Sequence, residues 1–222
     1  MSKVILDIET IGFNFEKLDK VSQDYILKFS ESEEDKQLEK QKLALWAPTA
    51  QVIVIGLLNP DTNKGVIYFQ NNDQAKEEFT EGEAEYKSGS EKEILEYFWQ
   101  AIKHYDQFIT FNGRGFDCPF LMIRSAILGI KATKNLMPYR YNSDFHVDLL
   151  EQLTFYSAVR KFNMDFFCKA FGIKSPKSEI TGLDLPRLYE AGEYLRIVKY
   201  NLGDLIATKE LYEKWNSYIN IK

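Results

Sequence analysis

The chain opens on Val4-Ile5-Leu6-Asp7-Ile8-Glu9-Thr10-Ile11, an apolar run into which two acids enter at alternate positions. Successive side chains of a strand point to opposite faces, so Asp7 and Glu9 share one face. The apolar start predicts a buried strand, and ionised carboxylates are costly to bury without a partner cation. A divalent metal ion beside them is one reading. The other is a strand that ends at the surface with both acids in water, and these residues alone leave both open.

Beyond this strand, residues from about Phe15 to Leu45 are rich in Glu, Lys and Gln with sparse apolar positions, which predicts an exposed helical or mobile insertion. Gln51 to Leu58 and Gly65 to Gln70 read as two strands joined at Asn59-Pro60-Asp61, a hairpin. Residues 71–90 are polar and glycine-bearing and read as a loop. A helix is predicted from Glu91 to His104, a strand from Gln107 to Phe111, and a helix from about Pro119 to Leu128 after the turn at Gly113 and Gly115. Phe145 to Leu149 reads as a strand. Helices follow, apart from a loop at Ser175 to Gly182, and the last runs from about Gly192 to Trp215. With no repeat and no long Pro/Gly/Ser linker, one mixed α/β domain over residues 1–222 is expected, helix-rich in its C-terminal half.

At 222 residues, 45% hydrophobic and 27% charged, the chain can bury one substantial core. A net charge of -5 and a pI near 5.3 argue against a protein that coats nucleic acid through a dense Lys/Arg surface. They leave room for an enzyme with a locally basic groove, because bound cations can supply the positive potential. Cys118 and Cys168 have no metal-ligand spacing, and one pair in a chain this size is not a disulfide scaffold, so reduced thiols are expected. The apolar run before Asp7 is too short for a signal-peptide core or a membrane span, and a cytoplasmic location is the expectation.

Two further segments carry chemistry. Phe111-Asn112-Gly113-Arg114-Gly115-Phe116-Asp117 lies where a strand gives way to a helix, and its glycines allow close backbone approach to a ligand. Read in isolation it is more plainly an ordinary turn, with Asp117 capping the helix that holds Pro119. Tyr200 and Asp204 are spaced i, i+4 on the last helix and so share a face. A half-buried tyrosine and a solvated acid would have the same spacing.

In combination, Asp-x-Glu on the first strand, Asn-x-x-x-Phe-Asp after a later strand and Tyr-x-x-x-Asp on a late helix resemble the three exonuclease motifs of the DnaQ-like superfamily, from Asp7 to about Trp215. The closest resemblance is to the tyrosine subgroup of DEDD exonucleases, and within it to the proofreading domain of family B DNA polymerases and the stand-alone exonucleases related to it. The histidine subgroup would need His at position 199, which is Lys. The resemblance implies a ribonuclease H-like fold, with a mixed five-stranded sheet flanked by helices, and two Mg²⁺ or Mn²⁺ ions. Asp7 would bridge the two ions, Glu9 and Asp204 would hold the one that activates water, and Asp117 the other. Two ions ~3.5 to 4 Å apart can stabilise the attacking and leaving oxygens of an in-line displacement. Tyr200 would orient the water rather than abstract its proton, since a phenol titrates near ~10. Asn112 and Phe116 would contact the terminal nucleotides, with Thr10 and Ile11 lining the pocket for the 3′ end. Lys177 is a candidate phosphate contact, against the plainer reading of a solvated loop lysine. His146-Val147-Asp148-Leu149 resembles the strand after the second motif in these relatives and reads as structural or supporting, so Asp148 stays outside the metal set.

The expected activity is therefore removal of nucleoside 5′-monophosphates from single-stranded 3′ ends, DNA favoured over RNA. An RNA-trimming enzyme and a catalytically idle nucleic-acid-binding module of the same fold are the alternatives. The charged insertion at about 15–45 is longer than a tight connection after the first motif requires. No polymerase palm or fingers region follows the third motif, so coupling to a polymerase or repair partner is expected in trans.

Overall fold

The computed structural model describes residues 1–71, 76–175 and 180–221. Its centre is strand β1 (Lys3–Gly12), flanked by β2 (Ala50–Leu58), antiparallel to it, and by the parallel strand β6 (Gln107–Thr110). With β3 (Gly65–Gln70), β4 (Glu78–Glu81), β5 (Ala84–Gly89) and β7 (His146–Asp148), the order across the sheet is β4-β5-β3-β2-β1-β6-β7. The β2–β3 hairpin forms where expected: the Asn59 side-chain oxygen accepts from the amides of Asp61 and Thr62 at 2.9 and 3.1 Å, closing the turn.

Among the described residues the sheet is thus a mixed one of seven strands, not five. The two extra strands, β4 and β5, lie in the stretch read as a loop. Only one face of β5 is apolar: Ala84 and Tyr86 are buried, Glu85 between them is exposed, and β4 at the sheet edge is largely exposed. Tyr86 stacks on Phe79 with ring centroids 4.7 Å apart, a cross-strand pair that no single segment reveals.

One face of the sheet is covered by α3 (Glu91–Ile102) and α4 (Asp117–Ile127), which pack Phe98, Trp99 and Leu121 against Val4, Leu6 and Ile8 of β1. A capping box between Ser90 and Glu93 starts α3. Arg124 of α4 grips Glu91 at 2.7 and 2.8 Å, and Glu91 also accepts the Val52 amide, which ties both helices to β2. Against the opposite face lie α5 (Leu149–Leu153), α6 (Met164–Phe171), α7 (Leu185–Glu190) and the long α8 (Tyr194–Tyr218). Cys118 and Cys168 are both free and buried.

The charged stretch carries two helices, α1 (Lys20–Ile26) and α2 (Glu33–Lys42), which bury no residue of their own. It is anchored at its end: the Thr10 hydroxyl donates to the Ala44 carbonyl at 2.7 Å, and Leu43 is buried against the end of β1.

Candidate active site

Asp7, Glu9 and Asp204 each offer a carboxylate oxygen, and these oxygens lie within 4.8 Å of one another. The pleat of β1 sends Asp7 and Glu9 to the α8 side, and Asp204 meets them from the middle of that helix. Glu9 is only 7% exposed, which removes the reading of two acids solvated at a strand end. Three acids in such proximity are all-oxygen donors at a spacing a hard divalent cation can bridge.

Asn201, fully buried one turn before Asp204, donates its Nδ2 to Asp7 Oδ2 at 2.7 Å and to Glu9 Oε1 at 3.4 Å. Sequence reasoning missed it. The available signal was its position three residues before Asp204, on the face already assigned to Tyr200. Gly56 stands opposite Asp7 in the β1–β2 ladder, and a Cβ there would lie 2.0 Å from Asn201 Oδ1 and 2.6 Å from Leu205. Glycine is what lets α8 approach so closely. If Asp7 and Glu9 hold a divalent cation, Asn201→Ala should weaken Mn²⁺ binding ~10- to 100-fold by calorimetric titration, because both acids lose their orienting donor. Gly56→Ala should match that loss and add about 1–3 kcal/mol of overpacking. Wild-type affinity in both variants would show that Asn201 positions nothing.

The Tyr200 phenol is buried and hydrogen-bonded to Asp204. Burial first, then the charges of Asp204, Glu9 and Asp7, hold its pKa far above the ordinary 10.0, so it is a neutral donor at physiological pH.

Asp117 is not one of the three acids whose oxygens converge, and it does not cap its helix: α4 begins at Asp117 itself, with Phe116 in the cap position. Its Oδ1 accepts the Ile8 amide at 3.0 Å, beyond the point where β6 stops pairing with β1. Burial raises its carboxyl from 3.8 to about 7; the backbone donors pull it down, and Asp148 and Asp204 push it up.

Asp148 organises the second-motif loop. It accepts the amides of Asn112, Arg114, Leu150 and Glu151 at 3.0, 2.9, 3.0 and 3.4 Å. His146 is buried, and its ring nitrogens meet the Thr110 hydroxyl at 2.9 Å and the Leu136 carbonyl at 3.2 Å. Burial, followed by the charge of Arg114, lowers its pKa to about 3. Both residues hold structure together, as expected of this strand. Asn112 is exposed in a left-handed conformation, φ 62°. A Cβ on Gly113 would lie 2.4 Å from Thr110 Oγ1, so that glycine serves the packing of the loop on β6 rather than the approach of a ligand.

Phe116 is partly buried against Phe120. Thr10 and Ile11 are buried directly after Glu9, where the ladder to β2 is interrupted by a bulge, and the Thr10 hydroxyl keeps acceptor capacity beyond its bond to Ala44. Lys177 lies outside the described residues. No described helix is long and apolar enough to cross a membrane.

Among known proteins, the chain is similar to the "DNA polymerase" of Desulfurococcus sp. (strain Tok), 31% identical over 139 residues, which are 55% of this chain and 18% of that protein. It is 29% identical over 143 residues to the "DNA polymerase" of Pyrococcus horikoshii, covering 55% of this chain and 11% of the relative. Against "DNA polymerase 1" of Sulfolobus acidocaldarius it is 23% identical over 172 residues, 72% of this chain and 19% of the relative. The chain thus spans less than a fifth of each of these relatives. The model of one family matches residues 51–220, a span that contains Asp117, Tyr200 and Asp204 and leaves Asp7 and Glu9 to the geometry. On that match, the chain belongs to the family of predicted 3′-5′ exonucleases related to the exonuclease domain of PolB.

Proposed function

We propose that this protein is a metal-dependent exonuclease that removes nucleoside 5′-monophosphates from single-stranded 3′ ends, with DNA preferred over RNA. The convergence of Asp7, Glu9 and Asp204 beside Tyr200 carries the reading. Together with Asp117, these carboxylates would hold two divalent cations, Mg²⁺ or Mn²⁺. When bound, such ions supply the positive charge that stabilises the attacking and leaving oxygens of phosphodiester hydrolysis.

The remaining work falls to the chain. Asn201 holds Asp7 and Glu9 in register. Tyr200, neutral and fixed against Asp204, orients the attacking water by hydrogen bonding. Asn112 and Phe116 hold the terminal nucleotides, Phe116 by stacking that is indifferent to base identity. Thr10 and Ile11 line the pocket for the 3′ end. The enzyme acts in the cytoplasm, with any polymerase or repair partner supplied in trans.

The test is incubation of 5′-labelled single-stranded DNA and matching RNA with Mg²⁺, Mn²⁺ or chelator. A metal-dependent ladder shortening from the 3′ end, with DNA the faster, is the expected result. Substrate left intact under every metal would make the protein an idle binding module, and faster RNA cleavage would reverse the sugar preference. Tyr200→Phe should lower kcat about 10²-fold, as expected for one lost donor at the reacting centre, while Mn²⁺ affinity stays within a factor of two or so.

A further inference from the structure

Next to the second-motif loop lies a pocket of about 420 Å³ that the carboxylate site does not use, lined by Asn112, Arg114, Arg140, Asp148, Glu151 and Lys161. Arg140 and Lys161 are exposed. Arg114 is buried, with one guanidinium nitrogen donating to the Pro138 carbonyl at 3.0 Å and its Nε 3.6 Å from Glu151, without a hydrogen bond of its own. Two acids face these three cations. Asp148 is taken up by the amides already described, and Glu151 is shared between Arg114 and Arg140, at 3.6 and 2.8 Å. In a chain of net charge -5, this pocket wall is locally positive.

Aromatic residues adjoin Arg140 along the chain. Tyr139 and Tyr141, on either side of Arg140, are 73% and 59% exposed, and their centroids are 5.7 Å apart. Tyr141 also meets Tyr156 at 4.7 Å. Tyr156 belongs to three successive residues, Phe155, Tyr156 and Ser157, with φ of 48°, 57° and 73°. None is glycine, so the backbone is strained to present this segment, a cost that folds tolerate chiefly at functional sites. Arg160 and Lys161 come three and four residues after Ser157, with Arg160 over the Phe162 ring at 5.0 Å.

We infer that this cation-and-tyrosine surface binds the single strand upstream of its 3′ end, with Arg140 and Lys161 on phosphates and Tyr141 stacked on a base. Exposed rings interleaved with guanidinium and ammonium groups match the two faces of a single-stranded polynucleotide, its charged backbone and its π-surfaces. An acidic peptide would satisfy the charges and leave the rings without a role. The pocket wall is continuous with Asn112, and Asp148 clamps both the pocket and the loop that leads to Asp117. This inference rests on the nucleic-acid reading proposed above.

Binding and cleavage separate the two. With chelator present, anisotropy of a fluorescent single-stranded 20-mer measures the surface alone. The Arg140→Ala/Lys161→Ala variant should bind at least tenfold more weakly, with the slope of log K against log salt reduced by about 1.4, for two lost phosphate contacts. Tyr141→Ala should lose roughly tenfold or more, and Tyr141→Phe should recover it, because stacking needs the ring and not the hydroxyl. In the presence of Mn²⁺, the loss of kcat/KM on the 20-mer should exceed the loss on a dinucleotide by at least tenfold. Equal losses on both substrates, unchanged 20-mer binding in the variants, or tighter binding of polyglutamate than of DNA would overturn the inference. A wild-type protein that binds the 20-mer through these residues but cleaves nothing would overturn the catalytic reading instead.

Discussion

Asp117→Asn, measured in chelator, is expected to be more stable than wild type by about 4 kcal/mol at pH 8 and to have lost nuclease activity by ~10³-fold when metal is restored. The stability gain follows from burial, which raises the carboxyl to about 7 from 3.8. Below pH 3.8 the group is protonated in both folded and unfolded chains and costs nothing. Between 3.8 and about 7 the folded state holds the extra proton, so wild-type stability falls as pH rises, and above 7 the full cost is present. Asparagine keeps an oxygen for the Ile8 amide without the charge. His146, lowered to about 3, works the opposite way: the unfolded chain takes up its proton as pH falls below ~6.5, which destabilises the fold in acid. Comparing variant with wild type at each pH cancels that contribution. Thermal unfolding from pH 4 to 9 checks the result, and a difference that does not grow between pH 4 and 7 would show that Asp117 is not held protonated by the fold.

Asp148→Ala is expected to be the most destabilising single change at the site, by about 3–5 kcal/mol, with a Tm lowered by roughly 10 °C or more. One carboxylate accepts the amides of Asn112, Arg114, Leu150 and Glu151, and its removal orphans donors that are mostly buried. A domain of this size has ~5–15 kcal/mol of stability in all, so the loss is a large part of the margin. Asp148→Asn retains an acceptor for the three amides that Oδ1 serves and turns an amide toward Arg114 N–H, so it should lose less. Calorimetric unfolding of both variants decides the matter: an alanine variant as stable as wild type would mean that water replaces the carboxylate at no cost.

What the sequence determined is what short-range periodicity can carry. The alternation in Val4 to Glu9 set β1 and put two acids on one face, and the i, i+4 spacing set Tyr200 and Asp204 on one side of α8. The insertion's charge pattern indicated exposure and left helix or mobile segment open. What only the tertiary structure decided depends on elements that are remote in sequence. Asn201 reaches Asp7 across 194 positions, and Asp117 reaches the Ile8 amide across 109. Strand β5 became visible only when Tyr86 found Phe79 and the edge of β3, because its exposed face carries Glu85 and the partly buried Lys87 and reads as loop. The physical reason is the same in each case: side-chain period is a property of the local backbone, whereas burial, pKa and hydrogen-bond partner are set by whatever the rest of the chain packs against it.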